Sequence, residues 1–217
     1  MWKQAGEMFE RAHNPKRLMS VLLTDPAKVS PTFNGRELME ALYNVAQDLQ
    51  NIPELGISLV DIFTGDELFQ MWQGYNASWL LDTGLVPGSA PYYRILDEVV
   101  DSIITVTDRV ISEGEPAMVL RFSHDSSVLP LAYVLGLKEA VGATADLPNL
   151  YKYTSIDKII PMAANIQMVF YRNERSGEIL VKFLLNENET TLPYLTAKTA
   201  PYYPWSAVKP YIQSRKK

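Results

Sequence analysis

The sequence predicts an α/β protein in two parts, a helical region over 1–115 and a sheet-bearing region over 116–217. Three observations predict it. Before Gly114, apolar residues recur at helical spacing behind two capping boxes. Residues 166–172 and 178–185 are two β-rich runs, and the turn Asn173-Glu-Arg-Ser-Gly177 between them makes a hairpin. The stretch from Met118 to Gly136 reads as a buried strand, a tight polar break and a short apolar helix.

Composition limits the functions available. The chain has 217 residues, enough for one large domain or two small ones, and at 47% hydrophobic and 21% charged it has a normal globular balance. A formal charge of −5 offers no basic stripe for phosphate backbones, so no nucleic-acid partner is expected. No apolar run approaches the roughly 18 residues of a membrane span, and the first residues lack an apolar leader core. No membrane partner is expected either. Without cysteine, disulfides, thiolate chemistry and zinc–cysteine sites are excluded; with only His13 and His124, so is a His-rich metal site. No cofactor and no metal are expected.

Taken in order, residues 1–12 form a helix with Trp2, Met8 and Phe9 as core contacts, broken at His13-Asn14-Pro15. Arg17 to Leu23 is short and apolar, and Pro26 and Pro31 set a loop. Asn34-Gly-Arg-Glu37 caps a helix to about Gln50, with Leu38, Leu42, Val45 and Leu49 on its inner face. Thr64-Gly-Asp-Glu67 is a second capping box, and the helix behind it carries Leu68, Met71, Trp72, Tyr75 and Trp79 on one broad face that reads as core. Asn76-Ala-Ser78 fits a glycosylation pattern by chance, being inside that helix. After the loop 84–91, the longest helix spans Tyr92 to Ser112, with Leu96, Val99, Val100, Ile103, Thr107, Val110 and Ile111 inward; Gly114 and Pro116 stop it. A short segment at 156–160, the hairpin, a turn beginning near Glu187 and a helix from about Ser206 to Gln213 complete the chain.

Within the 118–136 stretch, Val119 to Phe122 is the strand, Ser127 the expected N-cap, and Pro130 falls in the first turn. Open α/β sheets place ligands at the carboxyl ends of buried strands, and the N–H groups opening a helix favour an anion. The chain's His-Asp pair, His124-Asp125, lies at that junction. On residue type alone it reads either as a turn capped by Asp or as a site. Arg121 reads as a phosphate ligand or a structural ion pair, its odd offset from His124 along a strand favouring the second, and His13 beside a breaker reads as structural. A central strand plus one hairpin makes a poor sheet. Its edge would be met by another copy, or by a segment preceding Met1.

Leu120-Arg-Phe-Ser-His124-Asp125-Ser-Ser-Val-Leu-Pro-Leu and the downstream Met162-Ala-Ala-Asn-Ile-Gln-Met-Val-Phe-Tyr171 resemble the histidine acid phosphatase family, the group that includes phytases and multiple inositol polyphosphate phosphatases. Thr64-Gly-Asp-Glu-Leu-Phe and Trp72-Gln-Gly-Tyr-Asn76 resemble its helical insert. The resemblance implies the C-terminal part of a histidine-phosphatase-type α/β domain with a mostly helical insert, acting on phosphate monoesters and, within that class, inositol phosphates. It implies that His124 binds the phosphoryl group with Ser126 beside it, and that Asp125 protonates the leaving oxygen. An acid at the leaving group and positive charge where charge develops are what that chemistry needs. Asp125 sides with the His-Asp branch rather than with the His-Ala-Glu of many inositol polyphosphate phosphatases. The family's nucleophile is the His of Arg-His-Gly-x-Arg-x-Pro, and no Arg-His-Gly occurs in the sequence; His13 sits in Arg-Ala-His-Asn-Pro. The chain alone is therefore expected to bind a phosphorylated small molecule without turning it over, and a periplasmic or secreted location is implied. The alternative is a non-catalytic, phosphatase-like binding module.

Overall fold

The computed structural model describes residues 1–25, 28–30, 32–115 and 118–216. Pro26, Pro31 and Pro116, expected to set loops and end a helix, lie outside the described residues. The chain divides into two compact units, 1–78 and 79–217. The change from helical to strand-bearing sequence falls later, near 115.

In the first unit, α1 (Trp2–Ala12) and α2 (Lys16–Leu22) flank the His13-Asn14-Pro15 break. α3 (Gly35–Leu49) starts where Asn34 accepts from the Arg36 and Glu37 N–H groups. α4 (Gly65–Asp82) begins at a reciprocal box: the Thr64 N–H donates to Glu67 at 2.8 Å and the Glu67 N–H to Thr64 Oγ1 at 3.2 Å. Both starts are where the capping pattern puts them.

The inner face of α3 differs from the expected one. Met39, Tyr43 and Ala46 are buried, Leu38 and Leu42 only flank the core, and Val45 is about half exposed. The true stripe starts one residue later, which turns the helix by about 100°. Tyr43 decides the choice. Its ring stacks on Tyr75 with centroids 5.7 Å apart and meets Phe63 edge-on at 6.2 Å, geometry an aliphatic residue cannot supply. Burial, then the neighbouring Tyr75, pushes its hydroxyl up to about 12. Leu18, Met19, Met39 and Met71 fill the same core.

Arg17 ties α2 to the start of α4. Its Nε and Nη2 donate to the two Glu67 oxygens at 2.7 and 2.6 Å, and Nη2 also donates to the Ile62 carbonyl. Glu67 is thus both the capping-box acid and an ion-pair partner. Burial pushes its carboxyl up, but Arg17 and the Thr64 N–H outweigh that and hold it below the usual carboxylate range.

In the second unit, Tyr92–Leu96 winds as a 3₁₀ turn, and α5 is Asp97–Glu113. The expected helix from Tyr92 therefore starts five residues late. The tighter turn also shifts its phase, so Val100 and Ile104 are the buried positions and Val99 is exposed. α6 is Asp125–Leu135, α7 Ile156–Ile159 and α8 Trp205–Arg215. Strands β1 (Ile166–Arg172) and β2 (Ile179–Leu185) form the expected hairpin, with Ile166 opposite Leu185 and Arg172 opposite Ile179. Asn173 Oδ1 accepts from the Arg175 and Ser176 N–H groups and shapes its turn.

Asn186 and Glu187, both at positive φ, form a second tight turn into β3 (Asn188–Thr190). The turn expected from Glu187 onward is therefore partly a strand. β4 (Tyr203–Pro204) also pairs β2, so all pairing in this sheet is antiparallel. Val181, Phe183 and Leu185 alternate inward along β2, and α8 packs on β2 and β4. The result is a mixed helix and sheet unit consistent with an α/β histidine-phosphatase-type domain.

Two contacts fix α8. Asp108 of α5 accepts from Trp205 Nε1 at 2.8 Å and from Lys209 Nζ at 3.0 Å. Arg215 donates to the Tyr133 and Val134 carbonyls at the end of α6, satisfying acceptors that the helix leaves open. α6 ends at Gly136, φ +80°, where a Cβ would overlap the Tyr211 hydroxyl and ring.

Two stability outcomes follow. A native carboxyl held low adds stability above its unfolded value and loses it as pH falls through the native one. Glu67→Gln should therefore lower the urea midpoint of the first unit at neutral pH, and the gap from wild type should close in acid. A gap that widens on acidification would contradict the Arg17–Glu67 account. Gly136→Ala should cost about 2 kcal/mol or more in chemical denaturation, combining left-handed strain with overlap on Tyr211.

Candidate functional site

The segment before α6 departs most from expectation. Residues 118–124 form no strand and pair with no strand among the described residues. Phe122 is 92% exposed and Leu120 65%. The apolar pattern of an interior strand is present, but the neighbours that would bury it are not among the described residues. Among the described residues its one side-chain hydrogen bond runs from Arg121 Nη2 to Ser102 Oγ of α5 at 3.0 Å, which ties Arg121 to α5.

The N-cap of α6 is His124, not Ser127. The His124 carbonyl accepts from the Ser127 and Val128 N–H groups, and Asp125 opens the helix. Starting earlier leaves Pro130 inside the helix instead of in its first turn. An acidic residue in the first turn competes well for the start because its charge meets the positive end of the helix. Asp125 Oδ1 accepts from the Ser126 N–H at 2.6 Å.

The three expected site residues thus share one exposed helix start. His124, Asp125 and Ser126 are all solvent-exposed. The His124 ring makes no hydrogen bond among the described residues, and the Asp125 N–H has no partner there either. Chemically, this start offers an imidazole, a carboxyl with one oxygen uncommitted, and the positive end of an 11-residue helix. That set can meet a phosphoryl oxyanion and hold a proton next to it.

His13 lies in the first unit and is fully buried. Its Nδ1 donates to the Phe9 carbonyl at 2.9 Å, its ring stacks on Phe9 with centroids 3.8 Å apart, and Nε2 has no partner. It is a packed structural residue. Among the described residues no group of three His, Asp or Glu side chains could hold a metal ion. A cleft of about 480 Å³ beside β2 and α8, lined by Glu178, Ile179, Trp205, Ser206 and Lys209, contains none of the three expected site residues.

Sequence reasoning passed over a second cleft, of about 300 Å³, bordered by Arg11, Lys16 and Arg17. Its signal was visible: three cations within residues 11–17, on both sides of a helix break.

In comparison with known families, residues 92–186 match a family model described as histidine phosphatase superfamily (branch 2). The matched stretch contains α5, the 118–124 segment, the His124-Asp125 helix start and the β1–β2 hairpin. The match supports the superfamily for this part of the chain and suggests a phosphatase-like function. No curated protein matches the chain.

Proposed function

We propose that this chain is a histidine acid phosphatase-like protein of the His-Asp kind, recognising phosphate monoesters, inositol phosphates among them. The observation that carries the reading is the family match across 92–186 with His124-Asp125 exposed at the start of α6 inside it. His124 and the Asp125 N–H at the start of α6, unpartnered among the described residues, hold the phosphoryl oxygens, with Ser126 beside them. Asp125 is the acid that gives a proton to the leaving alkoxide. The resemblance to secreted acid phosphatases supports an extracytoplasmic setting.

The sequence as it stands contains no Arg-His-Gly, and His13 is buried against Phe9. In this reading the chain therefore supplies phosphoryl recognition and the acid, and the nucleophile comes from elsewhere. On its own it is a binding element.

With the purified chain, p-nitrophenyl phosphate hydrolysis should stay at background across the acid range, and no phosphohistidine should be trapped. Inositol hexakisphosphate should bind by calorimetry, and His124→Ala should weaken that binding about tenfold, the value of one charge-assisted contact. A phosphoenzyme on His124 or His13 would overturn the claim that the nucleophile is supplied from outside. Equal binding by wild type and His124→Ala would overturn the phosphoryl role.

A further inference from the structure

We propose that the cleft bordered by Arg11, Lys16 and Arg17 is a separate binding site for a small polyvalent phosphate. It lies in the first unit, in residues the phosphatase reading does not use, and stands or falls independently of that reading. The first unit is acidic: residues 1–78 hold six Lys and Arg against ten Asp and Glu. Three of those six cations nonetheless border one cleft of about 300 Å³, together with Asn14, Glu67 and Gln70.

The charge there is uncompensated. Of the three cations elsewhere in the unit, Arg36 pairs with Glu10 and Lys28 with Asp25, and Lys3 stands alone on α1 without an ion pair among the described residues. Arg11 and Lys16 have no carboxylate partner among the described residues. The one carboxylate on the cleft, Glu67, already accepts from Arg17 Nε, Arg17 Nη2 and the Thr64 N–H. Arg17 is in turn anchored by Glu67 and the Ile62 carbonyl, which leaves Nη1 uncommitted on a guanidinium whose position is already set.

Asn14 Oδ1 accepts from the Lys16 N–H, so its amide nitrogen remains as a donor. The cleft therefore presents donors and positive charge, and its acceptor capacity is largely spent. An Arg fork plus a Lys point charge fits phosphate oxygens, and two unpaired cations call for a ligand with more than one negative charge. Pre-anchoring Arg17 removes part of the ordering cost of binding.

The test is calorimetric titration of the full chain with pyrophosphate, in a His124→Ala/Asp125→Ala background so that α6 cannot contribute. Saturable one-to-one binding is expected, with Arg11→Gln/Lys16→Gln weakening it at least tenfold. Lys3→Gln/Lys28→Gln removes the same charge away from the cleft and should change affinity less than twofold. Arg17 is left intact because it also holds α4. An absence of saturable binding, or equal losses in the two double variants, would overturn the site. So would binding only to vesicles carrying a phosphoinositide headgroup, since the free ligand would then not be the occupant.

Discussion

An extended segment is buried inside a sheet only when neighbouring strands take up its N–H and C=O groups. That constraint bears on the segment that precedes α6. Residues 118–122 carry the apolar pattern of a strand covered on both faces, yet they run unpaired with Phe122 almost wholly in solvent. The four strands that do pair form an antiparallel sheet around β2, and none of them reaches this segment. His124, Asp125 and Ser126 follow it directly and are exposed as it is. The helix itself is well fixed: Leu129, Ala132, Val134 and Leu135 are buried, and Arg215 closes its far end.

A helix start that is rigid behind and open in front suits recognition of an anion. Its geometry is set by the packing of α6, while the His124 ring and the Asp125 N–H stay without a partner among the described residues. The same logic, rigid support and unspent donors, marks the Arg11–Lys16–Arg17 cleft in the first unit. There Glu67 does two jobs, capping α4 and anchoring Arg17, and so leaves the other cations without a counter-charge.

Local signals were legible in the sequence; long-range ones were not. Asn34 and Thr64 named their helix starts, because a cap is a contact between residues two or three apart. The β1–β2 hairpin was legible for the same reason, through Asn173 and Gly177. The inner face of α3 was misjudged because Leu38 and Met39 head equally good stripes, and only the distant ring of Tyr75 selects the second. The strand at 119–122 was misjudged because strand pattern reports what a segment could pair with, not whether its partners are there. At the site, His124-Asp125 was legible as a dipeptide with a telling flank. Its N-cap was misplaced by three residues, since Ser127 and His124 compete for one helix start and Asp125 tips the balance. The second cleft escaped notice because charge pairing is tertiary: nothing in the sequence says that Arg36 finds Glu10 while Arg11 finds no carboxylate.

The central claim is that the start of α6 recognises a phosphoryl group. The most direct measurement is a nuclear magnetic resonance titration of the isotopically labelled chain with inorganic phosphate in mild acid. The account predicts saturable shifts at the His124 ring and at the Asp125, Ser126 and Ser127 amides, lost in His124→Ala, with the β1–β2 hairpin amides unmoved. Shifts that spare residues 124–127 while phosphate binds elsewhere would contradict it.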